Sequence, residues 1–368
     1  MDRLVQLAQD FQQSPWLDNL KRSYITSGQL QSLVTRGVRG LTSNPTIFQK
    51  AIQGSPDYDE QFAVLAADSN PVIDDYWAMV LQDIHGALDV FATVYQDTNG
   101  LDGYVSVEVD PGLAHDSVGT EQAARMLHQR ISRPNVMVKI PATQAGLPAI
   151  QRMIAEGHSI NVTLIFSLDR YEQVMEAYIA GLEEFAADPT SDLSKVASVA
   201  SFFISRVDSE IDGRLDAIAT PEALSLRGKG AVAQGKLAYR LFAQTFQGPR
   251  WQKLADRGAR VQRPLWASTS TKNPAYPDTL YVDELIGPHT VNTLPDATLE
   301  AFADHGTLTQ RVDADVADAA QTWRDLTDVG VDLDDVAAKL ERDGVSSFQK
   351  SFDELLAALA TKADELRR

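Results

Sequence analysis

Short segments in which apolar and polar residues alternate occur along the whole chain and predict β-strands. The clearest is residues 103–110, where three valines alternate with Ser106, Glu108 and Asp110. Residues 135–143 have the same period, with Lys139 among the positions that oppose the valines. Eight strands are predicted, at residues 14–19, 37–45, 103–110, 135–143, 159–166, 196–204, 263–270 and 290–294.

Longer stretches between the strands carry apolar residues at helical spacing and predict α-helices. They lie at residues 1–13, 27–36, 57–98, 120–129, 145–156, 168–185 and 206–254, and acidic amphipathic helices fill the chain after the eighth strand. Because strands and helices alternate, the predicted fold is α/β, a closed (β/α)8 TIM barrel with extra N- and C-terminal helices. An open doubly wound sheet is the alternative, whereas an antiparallel sheet would not place helices between successive strands. We expect one barrel domain over residues 1–368, with C-terminal helices from about residue 311 packing on the barrel.

Polar residues are concentrated near the C-terminal ends of the predicted strands. In a barrel, the apolar residues of each strand face the helices and the alternate residues face the interior. Side chains at the C-terminal strand ends then converge on one mouth. The residues in this situation are Asp18, Thr42, Asn44, Ser106, Glu108, Lys139, Asn161, Thr163 and Ser205.

Lys139 is an unusual residue for the end of an apolar strand. A solvated surface position is the ordinary interpretation of a single lysine. In a pocket, however, a neutral lysine amine is a nucleophile toward carbonyl groups. The carboxylates Asp18 and Glu108 would supply the proton transfers of imine chemistry, and Asn44 and Asn161 would hold sugar hydroxyls without adding charge. Together these residues indicate Schiff-base cleavage or transfer on a sugar.

The composition argues against several other classes of function. The chain has no cysteine, which excludes disulfides, thiolate metal sites and thiol catalysis. Six histidines without an H-E-x-x-H pattern do not predict a metal site. The formal net charge of −18 argues against nucleic acid as a partner, although a few local cations suffice to bind a phosphorylated metabolite. Without a signal-peptide pattern or an apolar stretch of about 18 residues, no membrane association is expected, and the expected location is cytoplasmic.

The ordered set of strand-end motifs resembles the transaldolase family, in its longer bacterial form, within the class I Schiff-base aldolase superfamily. The resemblance extends over essentially the whole chain. The segments that carry it are LTSNPT at 41–46, VSVEVD at 105–110, VKIPAT at 138–143, NVTLIFS at 161–167, FIS at 203–205 and WASTSTKN at 266–273. It implies transfer of a dihydroxyacetone unit from a ketose phosphate to an aldose phosphate in the non-oxidative pentose phosphate pathway.

The resemblance also implies roles for individual residues. Lys139 corresponds to the Schiff-base lysine, and Asp18 to the base that takes the hydroxyl proton during cleavage. Glu108 and Thr163 correspond to a pair that handles protons through a bound water. The residues expected to line the pocket are Thr42, Asn44, Ser106, Asn161 and Ser205. No cofactor is implied, the partners are sugar-phosphate substrates, and a monomer or homodimer is expected.

The phosphate site departs from the shorter form of the family, which uses two arginines. An ungapped match places Glu210 at the first of these positions, so that Arg206 is expected to take over the role. Lys272 stands at the second, and lysine holds phosphate as a point charge rather than as a fork. The alternative for both cations is a solvated surface position.

Three other functions fit parts of the pattern. An aldolase would release free dihydroxyacetone and would share the lysine chemistry. A non-catalytic sugar-phosphate binder would keep the scaffold without needing an imine-forming lysine. A metal-dependent barrel hydrolase would require clustered histidines, which the sequence lacks.

Overall fold

Eight parallel strands close into a barrel in the computed structural model, which describes residues 2–68 and 70–366. The strands are β1 Gln13–Leu17, β2 Gly40–Thr42, β3 Val105–Glu108, β4 Val136–Pro141, β5 Ile160–Ile165, β6 Ser198–Phe203, β7 Arg263–Ala267 and β8 Thr290–Leu294. Each strand pairs with the next in the sequence, and β8 pairs with β1. The predicted (β/α)8 barrel is confirmed.

Helices surround the barrel and extend it at both ends. They are α1 Arg3–Phe11, α2 Arg22–Thr26, α3 Gln29–Arg36, α4 Pro45–Gln53, α5 Asp59–Ala67, α6 Val72–Asp97, α7 Ser117–Ile131, α8 Gly146–Ala155, α9 Leu168–Phe185, α10 Ser205–Ile218, α11 Pro221–Leu224, α12 Gly230–Thr245, α13 Gly248–Ala255, α14 Leu280–Glu284, α15 Asp296–His305, α16 Val316–Asp328 and α17 Leu333–Leu366. Short 3-10 turns lie at Pro56–Tyr58, Pro111–Leu113 and Leu193–Lys195. Within the described ranges, no helix is both long enough and apolar enough to cross a membrane.

The second predicted strand is too long, and the helix that follows it is not predicted from the sequence. Strand β2 ends at Thr42, and α4 begins at Pro45. The Oδ1 atom of Asn44 accepts a hydrogen bond from the Ile47 amide at 3.0 Å, so Asn44 is the N-cap of α4. Proline fits the first turn of a helix because its missing N–H has no partner there. The strand prediction therefore failed where the chain changes to a helix directly at the mouth.

A buried polar cluster closes the end of the barrel opposite the mouth. The Asp102 carboxylate accepts hydrogen bonds from Ser14 Oγ at 2.8 Å and from Trp16 Nε1 at 3.3 Å, and it pairs with Arg263 Nη2 at 2.9 Å. Trp16 fills the interior above this cluster and lies against Gly40, where a Cβ would come within 2.5 Å of the indole ring. These contacts link β1, β2 and β7 at this end of the barrel.

The long C-terminal helix α17 lies against the elements that form the mouth. Its Ser351 hydroxyl is hydrogen bonded to Thr46 of α4 at 2.8 Å, and Lys339 pairs with Glu210 of α10 at 3.0 Å. At Gly344 the helix approaches so closely that a Cβ would lie 3.0 Å from the Leu164 side chain. The absence of a side chain at this position thus permits the close packing of α17 on the end of β5.

We predict that Asp102→Ala lowers the free energy of unfolding by about 3–5 kcal/mol, because it leaves the Arg263 guanidinium buried without its carboxylate. Urea unfolding followed by circular dichroism measures the change. The matched control is Asp89→Ala, which removes an exposed ion pair with Arg133 and should cost less than about 1 kcal/mol. Equal losses in the two variants would contradict the structural role of the cluster.

Candidate active site

A cavity of about 340 Å³ opens at the C-terminal ends of the barrel strands. Strand ends, the start of α4, the loop after β7 and α17 all contribute to its wall. The lining residues are Asp18, Thr42, Asn44, Thr46, Ile47, Lys50, Lys139, Thr163, Ser201, Phe203, Arg206, Ala267, Ser268, Ser270, Lys272, Thr293, Pro295, Ser347 and Phe348.

Lys139 projects from β4 to the base of this cavity and is only 5% exposed. Its Nζ atom lies 3.2 Å from Glu108 Oε2 and donates a hydrogen bond to the carbonyl oxygen of Ser43 at 3.1 Å. Glu108 and Lys139 are direct neighbours in the register of β3 and β4, so backbone pairing brings the two side chains together on the inner face. An amine and a carboxylate are therefore fixed side by side in a nearly dry environment.

Two carboxylates flank the amine, and burial raises the pKa of both. For Glu108, the loss of solvent outweighs the nearby positive charge of Lys139, which acts in the opposite direction. Asp18, which follows β1 at the cavity wall, has its pKa raised by burial too, and Lys139 and a hydrogen bond from Thr42 Oγ1 at 2.9 Å oppose the shift. A raised pKa brings a carboxyl group closer to the range in which it both takes and gives protons.

Hydroxyl and amide groups form a connected layer around the lysine. Asn161 Nδ2 donates to Ser106 Oγ at 3.0 Å, and Ser201 Oγ donates to Asn161 Oδ1 at 2.7 Å. The Thr42 and Thr293 hydroxyls are hydrogen bonded to each other at 2.7 Å. These bonds fix the side chains that surround Lys139 before any ligand enters.

Thr163 presents its hydroxyl to the cavity from a distorted part of β5. The next residue, Leu164, has φ +61°, and the register of β5 with β6 shifts between Val162 and Ile165. A left-handed conformation is costly for a bulky residue and is retained where the surrounding structure enforces it. The Thr163 hydroxyl and Glu108 Oε1 are both buried and have no hydrogen-bond partner in the described part of the chain. Both groups are thus available for proton exchange with water or substrate.

Cations lie at the outer part of the cavity. Arg206, in the first turn of α10, and Lys272, in the loop after β7, both line it, and burial lowers the pKa of each. Lys50 of α4 lines the same region and, like Lys272, is exposed, whereas Arg206 is partly buried. Glu210, by contrast, pairs with Arg214 and Lys339 and is not a lining residue.

Most of the residues predicted from the sequence meet at this cavity. Asp18, Thr42, Asn44, Lys139, Thr163, Arg206 and Lys272 line it. Glu108 and Asn161 are buried directly behind the wall, in contact with Lys139 and Ser201, and Ser106 contacts Asn161. The side chain of Asn44 has two roles: it caps the N-terminus of α4 and it lines the cavity.

Ser205 is fully buried and, like Glu108, Asn161 and Ser106, does not itself line the cavity. Its hydroxyl is instead hydrogen bonded to that of Ser268 at 2.8 Å. Ser201 of β6, a residue that was not predicted from the sequence, does line the cavity. The alternation along β6 could have indicated Ser201, because Ser201 and Phe203 lie on the same face of the strand and both line the cavity. Ser347 and Phe348 of α17 had no such signal, because no strand pattern connects that helix to the mouth.

The chemistry open to this arrangement is that of an amine nucleophile with neighbouring acids and bases. The neutral form of Lys139 can attack a carbonyl, and Glu108 and Asp18 can transfer protons beside it. Within residues 2–68 and 70–366, no group of three or more His, Asp or Glu side chains is placed to hold a metal ion.

Residues 15–359 match the family model described as transaldolase/fructose-6-phosphate aldolase. A protein called transaldolase from a Parafrankia species is 53% identical over 343 residues, which cover 93% of each chain. Proteins of the same name from Frankia alni and Mycobacterium marinum are each 51% identical, over 94% and 96% of this chain and 93% and 96% of their own lengths. The chain therefore belongs to the transaldolase/fructose-6-phosphate aldolase family.

Proposed function

We propose that this protein is a transferase that moves a dihydroxyacetone unit between sugar phosphates through a Schiff base on Lys139. The donor is a ketose phosphate, sedoheptulose 7-phosphate or fructose 6-phosphate, and the acceptor is an aldose phosphate, glyceraldehyde 3-phosphate or erythrose 4-phosphate. The reaction belongs to the non-oxidative pentose phosphate pathway. The observation that carries the proposal is the buried Lys139 amine, which reaches the cavity with Glu108 at 3.2 Å and Asp18 on the adjoining wall.

The first half-reaction forms the imine and breaks the carbon–carbon bond. The Lys139 amine attacks the ketose carbonyl carbon, C2, and the carbinolamine loses water to give a protonated Schiff base. Asp18 takes the proton of the C4 hydroxyl, the C3–C4 bond breaks, and its electron pair passes to the iminium to give an enamine. The aldehyde product leaves. Glu108 and Thr163 exchange protons with the reacting amine and oxygen through water during formation and loss of the carbinolamine.

The second half-reaction runs the same steps in reverse with a different aldehyde. The enamine carbon attacks the acceptor aldehyde, and the new alkoxide takes back the proton from Asp18. Water then hydrolyses the Schiff base and frees the product ketose and Lys139. No cofactor is needed, because the lysine itself provides the electron sink.

Charge balance in the buried site supports the use of a protonated Schiff base. The iminium carries the same single positive charge as the lysine ammonium. The carboxylate of Glu108 thus keeps a cationic partner before and after the covalent bond forms, and neither state leaves a buried charge uncompensated. Reorganisation of the surroundings when the ammonium is replaced by the iminium is correspondingly small.

Arg206 and Lys272 bind the substrate phosphate in this proposal. Both line the outer part of the same cavity as Lys139. They are local cations on a chain with a formal net charge of −18, so attraction of a phosphate depends on their placement rather than on the charge of the whole protein. We further propose a monomer or homodimer that works in the cytoplasm on freely diffusing sugar phosphates.

Borohydride reduction in the presence of fructose 6-phosphate tests the proposed intermediate. We predict a covalent three-carbon or six-carbon adduct on Lys139, because reduction converts the imine into a stable secondary amine. Peptide mass spectrometry locates the adduct. The variant Lys139→Met should show none, whereas Lys236→Met, which removes another buried lysine away from the cavity, should keep it. An adduct on a different lysine would refute the mechanism.

Transfer is distinguished from aldol cleavage by the fate of the three-carbon unit. We predict that fructose 6-phosphate alone yields only slow release of free dihydroxyacetone, and that erythrose 4-phosphate accelerates consumption of the donor without raising free dihydroxyacetone. The walls from α4 and α17 restrict access of water to the enamine, which favours the acceptor. Quantification of dihydroxyacetone by a coupled assay provides the measurement. Rapid release that is independent of acceptor would favour the aldolase alternative.

The pH dependence of kcat should reflect the pKa of Asp18. This carboxylate must be ionised to accept a proton, and burial raises its pKa above the 3.8 of a free aspartate. Activity is therefore lost as the pH falls through this raised pKa. Thr42→Val removes a hydrogen bond that lowers the pKa of Asp18, so the acid limb of the profile should move to higher pH.

Thr293→Val is the control for this shift. It removes the other hydrogen-bond partner of Thr42 and leaves the bond to Asp18 in place, so its acid limb should coincide with that of the unmodified protein. A limb that stays fixed in Thr42→Val, or that moves to lower pH, is inconsistent with Asp18 as the base.

A further inference from the structure

Aromatic rings, rather than hydrogen bonds, hold the Arg206 side chain at the cavity wall. Its guanidinium carbon lies 5.1 Å from the ring centre of Phe203 and 5.9 Å from that of Phe348. In the part of the chain that the structure describes, the guanidinium makes no hydrogen bond and no ion pair, and Asp18 and Glu108 act on it only as more distant charges. A largely buried arginine with all five donors free is prepared to bind an anion.

The two rings come from distant parts of the chain. Phe203 is the last residue of β6, three positions before Arg206, and its place follows from the strand. Phe348 is on α17 and reaches the mouth only because that helix is fixed there. The hydrogen bond between Ser351 and Thr46 and the close approach of Gly344 to Leu164 hold α17 on either side of Phe348.

We propose that Phe348 is a positioning residue, which acts through Arg206 to make the C-terminal helix part of the phosphate site. This inference rests on the proposed function, in which Arg206 binds the substrate phosphate. A ring face attracts the guanidinium and restrains its plane without using any of its N–H donors. A carboxylate partner would also fix the side chain, but it would occupy two donors and cancel the charge that the phosphate requires.

The same arrangement gives α17 a part in substrate selection. Phosphorylated substrates benefit from a guanidinium that is already ordered, because less side-chain freedom is lost when they bind. A sugar without phosphate does not reach this interaction. Loss of the Phe348 ring should therefore weaken binding of phosphorylated ligands and leave the chemistry at Lys139 unchanged.

The test compares Phe348→Leu, which removes the ring face but keeps an apolar side chain, with Phe348→Tyr, which keeps the face. In Phe348→Leu we expect KM for fructose 6-phosphate and the dissociation constant for inorganic phosphate to rise by about three- to tenfold, with kcat within about twofold of the unmodified protein. Phosphorus NMR titration measures phosphate binding without turnover. Phe348→Tyr should restore both values, and Phe348→Met serves in place of the leucine variant if the latter does not fold.

Phe352→Leu is the matched control. Phe352 lies one turn further along α17, is as deeply buried as Phe348, and packs edge-on against Tyr76 at 5.2 Å rather than against Arg206. A general loosening of the helix would affect both leucine variants, whereas a specific role of Phe348 predicts normal phosphate binding in Phe352→Leu.

A double-mutant cycle with Arg206→Met decides whether Phe348 acts through the arginine. In that background Phe348→Leu should cause no further loss of phosphate affinity. The inference is overturned if the two losses are additive, if Phe352→Leu matches Phe348→Leu, or if Phe348→Leu binds phosphate normally. Failure of the proposed function would appear separately, as the absence of a reducible adduct on Lys139, and the phosphate titration remains decisive in that case.

Discussion

The buried ion pair between Lys139 and Glu108 is the interaction on which the site depends. It forms because the two residues are neighbours in the register of β3 and β4. It lies in the interior because both side chains point to the inner face of the barrel. A slip of one residue in either strand would turn a charged side chain toward the apolar packing between barrel and helices. Burial raises the pKa of Glu108 and of Asp18, and the positive charge of Lys139 opposes both shifts, so the two carboxyl groups share one electrostatic environment.

Other parts of the described fold shield this pair from water on both sides of the barrel. The Asp102 cluster and Trp16 close the lower end of the barrel, and at the upper end α4 and α17 narrow the opening. Close packing at Gly40 and at Gly344 contributes to both closures, since a Cβ would clash with the Trp16 indole ring at the first position and crowd the Leu164 side chain at the second. The same two helices, α4 and α17, also bring Lys50, Ser347 and Phe348 to the cavity wall.

The alternation of apolar and polar residues was sufficient to predict the barrel and most of the side chains that face its interior, because the period of a strand fixes which side chains share a face. It placed Lys139, Glu108, Thr163 and Asn161 correctly on the interior, and α9 and β8 agree with their predicted limits. Ser205 has the same parity as Ser201, but β6 ends at Phe203 and Ser205 begins α10, so the period of the strand does not decide where its side chain lies. The cavity residues on α4 and α17 could not be predicted in this way. Long-range packing brings these helices to the mouth, and such packing produces no periodic pattern in the sequence. The contact between Arg206 and Phe348 could not be predicted for the same reason.

Three places in one cavity take part in the proposed reaction: an amine at its base, a carboxylate on its wall and cations at its outer part. A crystal structure of the borohydride-reduced complex with fructose 6-phosphate tests all three together. We expect a covalent bond from Lys139 Nζ to the substrate carbon chain, a substrate hydroxyl within hydrogen-bond distance of Asp18, and the phosphate in contact with Arg206 and Lys272. A bond to another lysine, or a substrate bound at Lys139 with its phosphate away from both cations, would contradict this expectation.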